Sequence, residues 1–99
     1  MNPQIENAIH DFIGVSITRM ANSGITQYQY HLSIKDLARV RVNPTFISDC
    51  VSYIQSRFNI NSVYNDISRG FEVFLDLNTC VLNARESDYY QAAYSQYNS

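Results

Sequence analysis

Residues 33–51 read SIKDLARVRVNPTFISDCV, and this stretch decides the fold. Its second half is unambiguous. Asn43 can cap free helix amides, and Pro44 sits at a first-turn position where no backbone donor is needed. Phe46, Ile47, Cys50, Val51, Ile54 and Phe58 then recur at helical spacing, predicting a helix over 44–58 whose other face carries Thr45, Ser48, Asp49, Ser52 and Gln55. The first half has two readings. Ala38, Val40 and Val42 alternate with Arg39 and Arg41, as in a half-exposed strand, and β-branched residues favour that conformation. Ser33 with Asp36 three residues on is instead a helix-start signature, and Ile34, Leu37 and Ala38 have helical spacing. Residues 39–42 are read here as strand; the segment before them stays open.

Upstream, Ile5, Ile9, Phe12, Ile13, Ile17 and Met20 form one apolar stripe behind Asn2-Pro3, predicting a helix over 3–21 that stops at Asn22-Ser23-Gly24. Gly14 inside it costs about 1 kcal/mol against alanine, which marks close packing against another element. Residues 26–34 alternate: Tyr28, Tyr30, Leu32 and Ile34 on one face, Gln27, Gln29, His31 and Ser33 on the other. Downstream, strands are expected over 63–67 and 71–77 with a tight turn at Ser68-Arg69-Gly70. Asn83 with Glu86 opens a last helix over 84–97. The expected fold class is α+β: a single small domain, 1–99, with an antiparallel sheet packed against three helices. A weak internal match at an offset of 41 pairs Asn2-Pro3 with Asn43-Pro44 and Tyr30, Leu32 and Ile34 with Phe71, Val73 and Leu75. True duplication would add a fourth strand.

Composition narrows the function classes. With 99 residues, 45% hydrophobic and 16% charged, the chain holds one core and is no disordered tail. No apolar run is long enough to span a membrane, and the first dozen residues do not read as a secretory signal, so a cytoplasmic setting is expected. The net charge of −2 gives no overall basic field for phosphates. Cys50, Cys80, His10 and His31 match no metal-ligand spacing, so neither metal nor cofactor is expected and the cysteines read as buried thiols. No phosphate loop, serine elbow or HExxH is present, and His10 and its neighbour Asp11 point about 100° apart on a helix. The expectation is that the protein is not an enzyme.

SIKDLAR followed by VNPTFISDCV resembles the helix-turn-helix of bacterial DNA-binding proteins. Leu37-Ala38 stands at the end of the first helix, Val42 at the buried turn position, Asn43 at the cap, and Ile47 and Val51 at core positions of the second helix. The element order over residues 33–77 is similar to the winged version, with a hairpin after the second helix. The resemblance implies that Thr45, Ser48 and Ser52 face base edges while Arg39, Arg41, Arg57 and Arg69 meet phosphates.

Tyrosine supports another reading. There are eight Tyr and no Trp, and Tyr89, Tyr90, Tyr94 and Tyr97 crowd the last helix. Tyrosine gives an interface rigid amphipathic area at small entropy cost, and Tyr89 and Tyr90 cannot both face inward. The leading expectation is a small protein-binding inhibitor or regulator, of the kind viruses and mobile elements encode against host machinery. Its contact residues would be Arg85, Tyr89, Tyr90 and Tyr97 with Arg69 at the rim, and Tyr94 would sit mid-stripe against the core. The alternatives are a winged helix-turn-helix DNA-binding regulator and a homodimer.

Overall fold

The computed structural model describes residues 1–37 and 42–97. Helix α1 (Pro3–Ser23) begins where the Asn2 side chain accepts from the Gln4 amide at 2.8 Å and ends at Gly24, whose φ of 68° lets the chain turn back. Strand β1 (Gln27–Ser33) follows, then the short helix α2 (Ile34–Leu37) and α3 (Pro44–Phe58). Asn43 caps α3 by accepting from the Phe46 amide at 2.8 Å, and Asn59, at φ 52°, ends it. Strands β2 (Asn61–Asn65) and β3 (Gly70–Asp76) form a hairpin, and α4 (Ala84–Tyr97) closes the chain.

The sheet has strand order β1-β3-β2, antiparallel throughout, with Tyr30 opposite Val73 and Val63 opposite Glu72. One face is buried. Ile5, Ile9, Ile13, Ile17 and Met20 of α1 meet Cys50, Ile54 and Phe58 of α3 and Leu32, Phe71, Val73 and Leu75 of the sheet. Each such side chain contributes about 1.5–3 kcal/mol on burial, so this one cluster carries the fold. Helix α4 packs on the far side of α1, running parallel to it: His10 meets Glu86, and a methyl group at Gly14 or Gly24 would strike the ring of Tyr89 or Tyr97. The α+β class, with one antiparallel sheet, is therefore the observed one.

Several expectations change. The segment at 34–37 is helical, because Ile34 and Leu37 both turn into the core. Val42 is irregular, and the strand reading of residues 39–41 lies outside the described residues. The strand expected at 63–67 starts two residues earlier. Asn65 Oδ1 accepts from the Ile67 and Ser68 amides, pulling those residues into the turn and leaving Ile67 97% exposed. The fourth strand is absent among the described residues. At the 41-residue offset, β2 corresponds to residues 20–24, where α1 is still helical or just ending, so the first unit runs on as helix where the second turns into strand.

Candidate functional site

Helix α3 has two faces of different chemistry. Cys50, Ile54 and Phe58 are buried, which forces Thr45, Ser48, Asp49, Ser52, Gln55 and Arg57 outward, all exposed. Hydroxyls at 45, 48 and 52 form one polar stripe with a single acid beside it. The hairpin stands next to this helix, and its tip is pinned to the start of α2 by the Ile34 amide donating to the Arg69 carbonyl at 3.1 Å. Arg69 adopts φ 53°, is exposed, and shares the tip with Ile67. Arg57 lies at the other end of β2. Four strand steps separate Asn61 from Asn65, so the two guanidinium-bearing positions stand roughly 14 Å or more apart along the hairpin. Lys35 is exposed on α2, and Arg39 and Arg41 lie outside the described residues. Charge is unevenly distributed along the chain. Residues 35–69 carry five of the seven bases against Asp36, Asp49 and Asp66, while the remainder carries Arg19 and Arg85 against six acids.

The tyrosines occupy a different part of the molecule, on α4 against α1. Tyr89, Tyr94 and Tyr97 are 43%, 47% and 53% exposed, and Tyr90 is half-buried with its ring stacked on Tyr94 at 5.6 Å. Tyr94 is thus at the surface rather than mid-core; Ala93, next to it, is the buried residue. Tyr89 lies across Gly14, confirming that this glycine marks a close approach: a methyl group there would sit 2.6 Å from the ring. Arg85 reaches Asp11 at 3.4 Å, both exposed. A groove beside Tyr89 is lined by Gly14, Val15, Thr18 and Arg19. Arg69, expected at the rim of this surface, stands on the hairpin tip beside α2 instead.

The sequence reading missed a third arrangement. His10 Nδ1 lies 2.7 Å from Glu86 Oε1, and its Nε2 lies 2.8 Å from the Tyr53 hydroxyl. Glu86 is fully buried and its Oε2 has no protein partner. A carboxylate only accepts, so Nδ1 carries a proton, while the hydroxyl can serve Nε2 as donor or acceptor. Burial, reinforced by the nearby Glu6 carboxylate, pushes the Tyr53 phenol up. These contacts tie α1, α3 and α4 together. Asn83-x-x-Glu86 read as a capping box concealed them. Only the docking of α4 reveals that this glutamate faces a histidine 76 positions earlier.

On the outer sheet face, Glu72 accepts from Gln29 at 3.1 Å and meets His31 Nδ1 at 2.9 Å. These two contacts, Gln29 first, hold its carboxyl below the usual range. Cys50 and Cys80 are free thiols; burial raises Cys50 to about 11 and also raises Cys80, so both stay protonated and unreactive near neutrality. No three His, Cys, Asp or Glu side chains among the described residues could jointly hold a metal ion, and none of the described helices is long and apolar enough to cross a membrane. Comparison with known families, curated proteins and solved structures returns no match to this chain.

Proposed function

We propose that the chain is a small DNA-binding regulator of winged helix-turn-helix type, reading duplex with the outer face of α3. The observation that carries this reading is topological: helix, strand, two helices and a hairpin, with strand order β1-β3-β2, leave the polar face of α3 bare beside a projecting hairpin tip. Fold alone does not make function, so the reading also leans on the site. Thr45, Ser48 and Ser52 supply donors and acceptors for base edges. Residues 35–69 carry five of the seven bases of a net acidic chain, and of these Arg57 and Arg69 are exposed where phosphates would lie. No catalytic or cofactor role is proposed.

The test is fluorescence anisotropy with mixed-sequence duplex across salt concentrations. Each phosphate contact contributes about −0.9 to the slope of log affinity against log salt, so Arg57→Ala and Arg69→Ala should each flatten it by about one. A folded sample that fails to bind at about 50 mM salt sinks the reading.

A second reading, a protein-binding inhibitor, is favoured by the tyrosines that α4 exposes. There Tyr89→Ala should weaken partner binding by about thirtyfold, equivalent to about 2 kcal/mol at a hot spot. A captured partner that binds the variant as tightly as the wild type counts against this surface.

A further inference from the structure

Among the described residues, none pairs with the outer edge of β1. The Thr26 carbonyl accepts from Leu77, and the Ile34 amide donates to Arg69, so even-numbered residues of this strand turn their backbone groups toward β3. Gln27, Gln29, His31 and Ser33 therefore direct theirs away from the sheet, and no described residue pairs with them. Sheet proteins blunt such edges with lysine, proline, a bulge or a covering element. Seven regularly paired residues of sequence QYQYHLS carry none of the first three. Along this edge runs a groove of about 410 Å³ between α1 and β1, floored by Phe12, Tyr30 and Leu32.

We propose that a second copy of this chain closes the edge, pairing β1 with β1 antiparallel about a twofold axis at Tyr30. Three features argue for a copy rather than an unrelated strand. First, the register works: about Tyr30, Gln29 faces His31 of the second copy and Gln27 faces its Ser33. All are residues with outward backbone groups, so each pair exchanges both N–H···O bonds. Second, the strand leaves apolar surface where the copy would lie. Tyr28, 53% exposed, supplies that surface, opposite a Leu32 of the second copy that is buried within its own fold. Third, the helix above is self-complementary about the same level. Asp11, Val15 and Arg19 form one exposed stripe at four-residue steps along the groove. The Tyr30 hydroxyl donates to the Ser16 carbonyl at 3.4 Å, which places the strand centre beneath the middle of that stripe. The twofold runs the two α1 helices antiparallel, setting Val15, 52% exposed, against its copy and Asp11, which also meets Arg85 of its own chain at 3.4 Å, toward Arg19 of the second copy. A parallel arrangement would oppose like charges. The result is an isologous dimer with a continuous six-stranded sheet.

Sedimentation equilibrium on the full chain tests this, whatever α3 binds. The wild type should dimerise. Gln29→Pro removes an outward donor without touching the β1–β3 ladder, so it should yield a monomer with an unchanged far-ultraviolet spectrum. Arg19→Asp should weaken the dimer by about tenfold, and Asp11→Arg combined with it should restore wild-type affinity by re-forming the opposed charges. The charge pair keeps the test decisive even if the proline variant misfolds. A wild type monomeric at about 1 mM overturns the proposal. So does a dimer that neither a folded Gln29→Pro nor Arg19→Asp weakens, or a double variant no tighter than Arg19→Asp alone.

Discussion

Two histidine–glutamate contacts, one in the α1–α4 seam and one on the outer sheet face, use the same functional groups to different ends. His10 and Glu86 meet at 2.7 Å with the carboxylate wholly enclosed, while His31 and Glu72 meet at 2.9 Å in partial contact with water. In the seam each group depends on the other, because a buried polar atom that loses its partner bears the full desolvation cost. On the sheet, water replaces either partner. The seam contact thus holds three helices in place, whereas the sheet contact mainly tunes a surface carboxylate.

Breaking the seam should give the largest effect. Glu86→Ala removes the partner of His10 Nδ1 in the seam and should cost about 3 kcal/mol, the upper end for leaving a buried polar group without its hydrogen bond. Glu86→Gln, which keeps shape and an acceptor, should cost about 1 kcal/mol. Urea unfolding read by circular dichroism separates the two, and equal losses would mean that shape rather than charge holds the seam.

Gly14→Ala probes the same seam by packing. Helix propensity alone would add about 1 kcal/mol of stability. The new methyl group would lie 2.6 Å from Cδ2 of Tyr89, near the root of the ring where little can flex, so overpacking should dominate and leave a net loss of about 1 kcal/mol. Tyr89→Ala added to it should recover the loss; failure to do so would mean that the ring is not what fills the space.

The sheet contact should give the smallest change, visible mainly in acid. Because the folded state lowers the Glu72 carboxyl, its contribution is present above the ordinary carboxylate range and fades as pH falls through the lowered value. Surface pairs of this kind contribute under about 1 kcal/mol. Gln29→Ala removes the main cause of the shift and should flatten the stability decline below about pH 4, where the ordinary glutamate titrates. Unfolding curves at matched ionic strength check this.

Local chemistry was legible wherever one segment decides its own conformation. Asn2-Pro3 and Asn43-Pro44 start helices because cap and proline act within a single turn, and the helix over 44–58 forms with those bounds. Alternation in β3 determined which side chains enter the core, since a strand's period of two leaves one apolar face, whereas on the matching face of β1 only Leu32 is fully buried and Tyr28 stays exposed. Gly14 announced a close neighbour without saying which.

What required tertiary structure was every feature joining distant segments. Ser33 to Leu37 fits strand or helix by pattern, and the helix prevails because Ile34 and Leu37 find a shared core beneath α1. Glu86 looked like a capping residue until α4 docked parallel to α1 and presented it to His10. Even the edge position of β1 belongs to this class: seven residues of QYQYHLS would serve equally in a central strand, and only the order β1-β3-β2 of the described strands leaves them at an edge. Sequence periodicity reports which face of an element is apolar, but a face has no address until another element covers it.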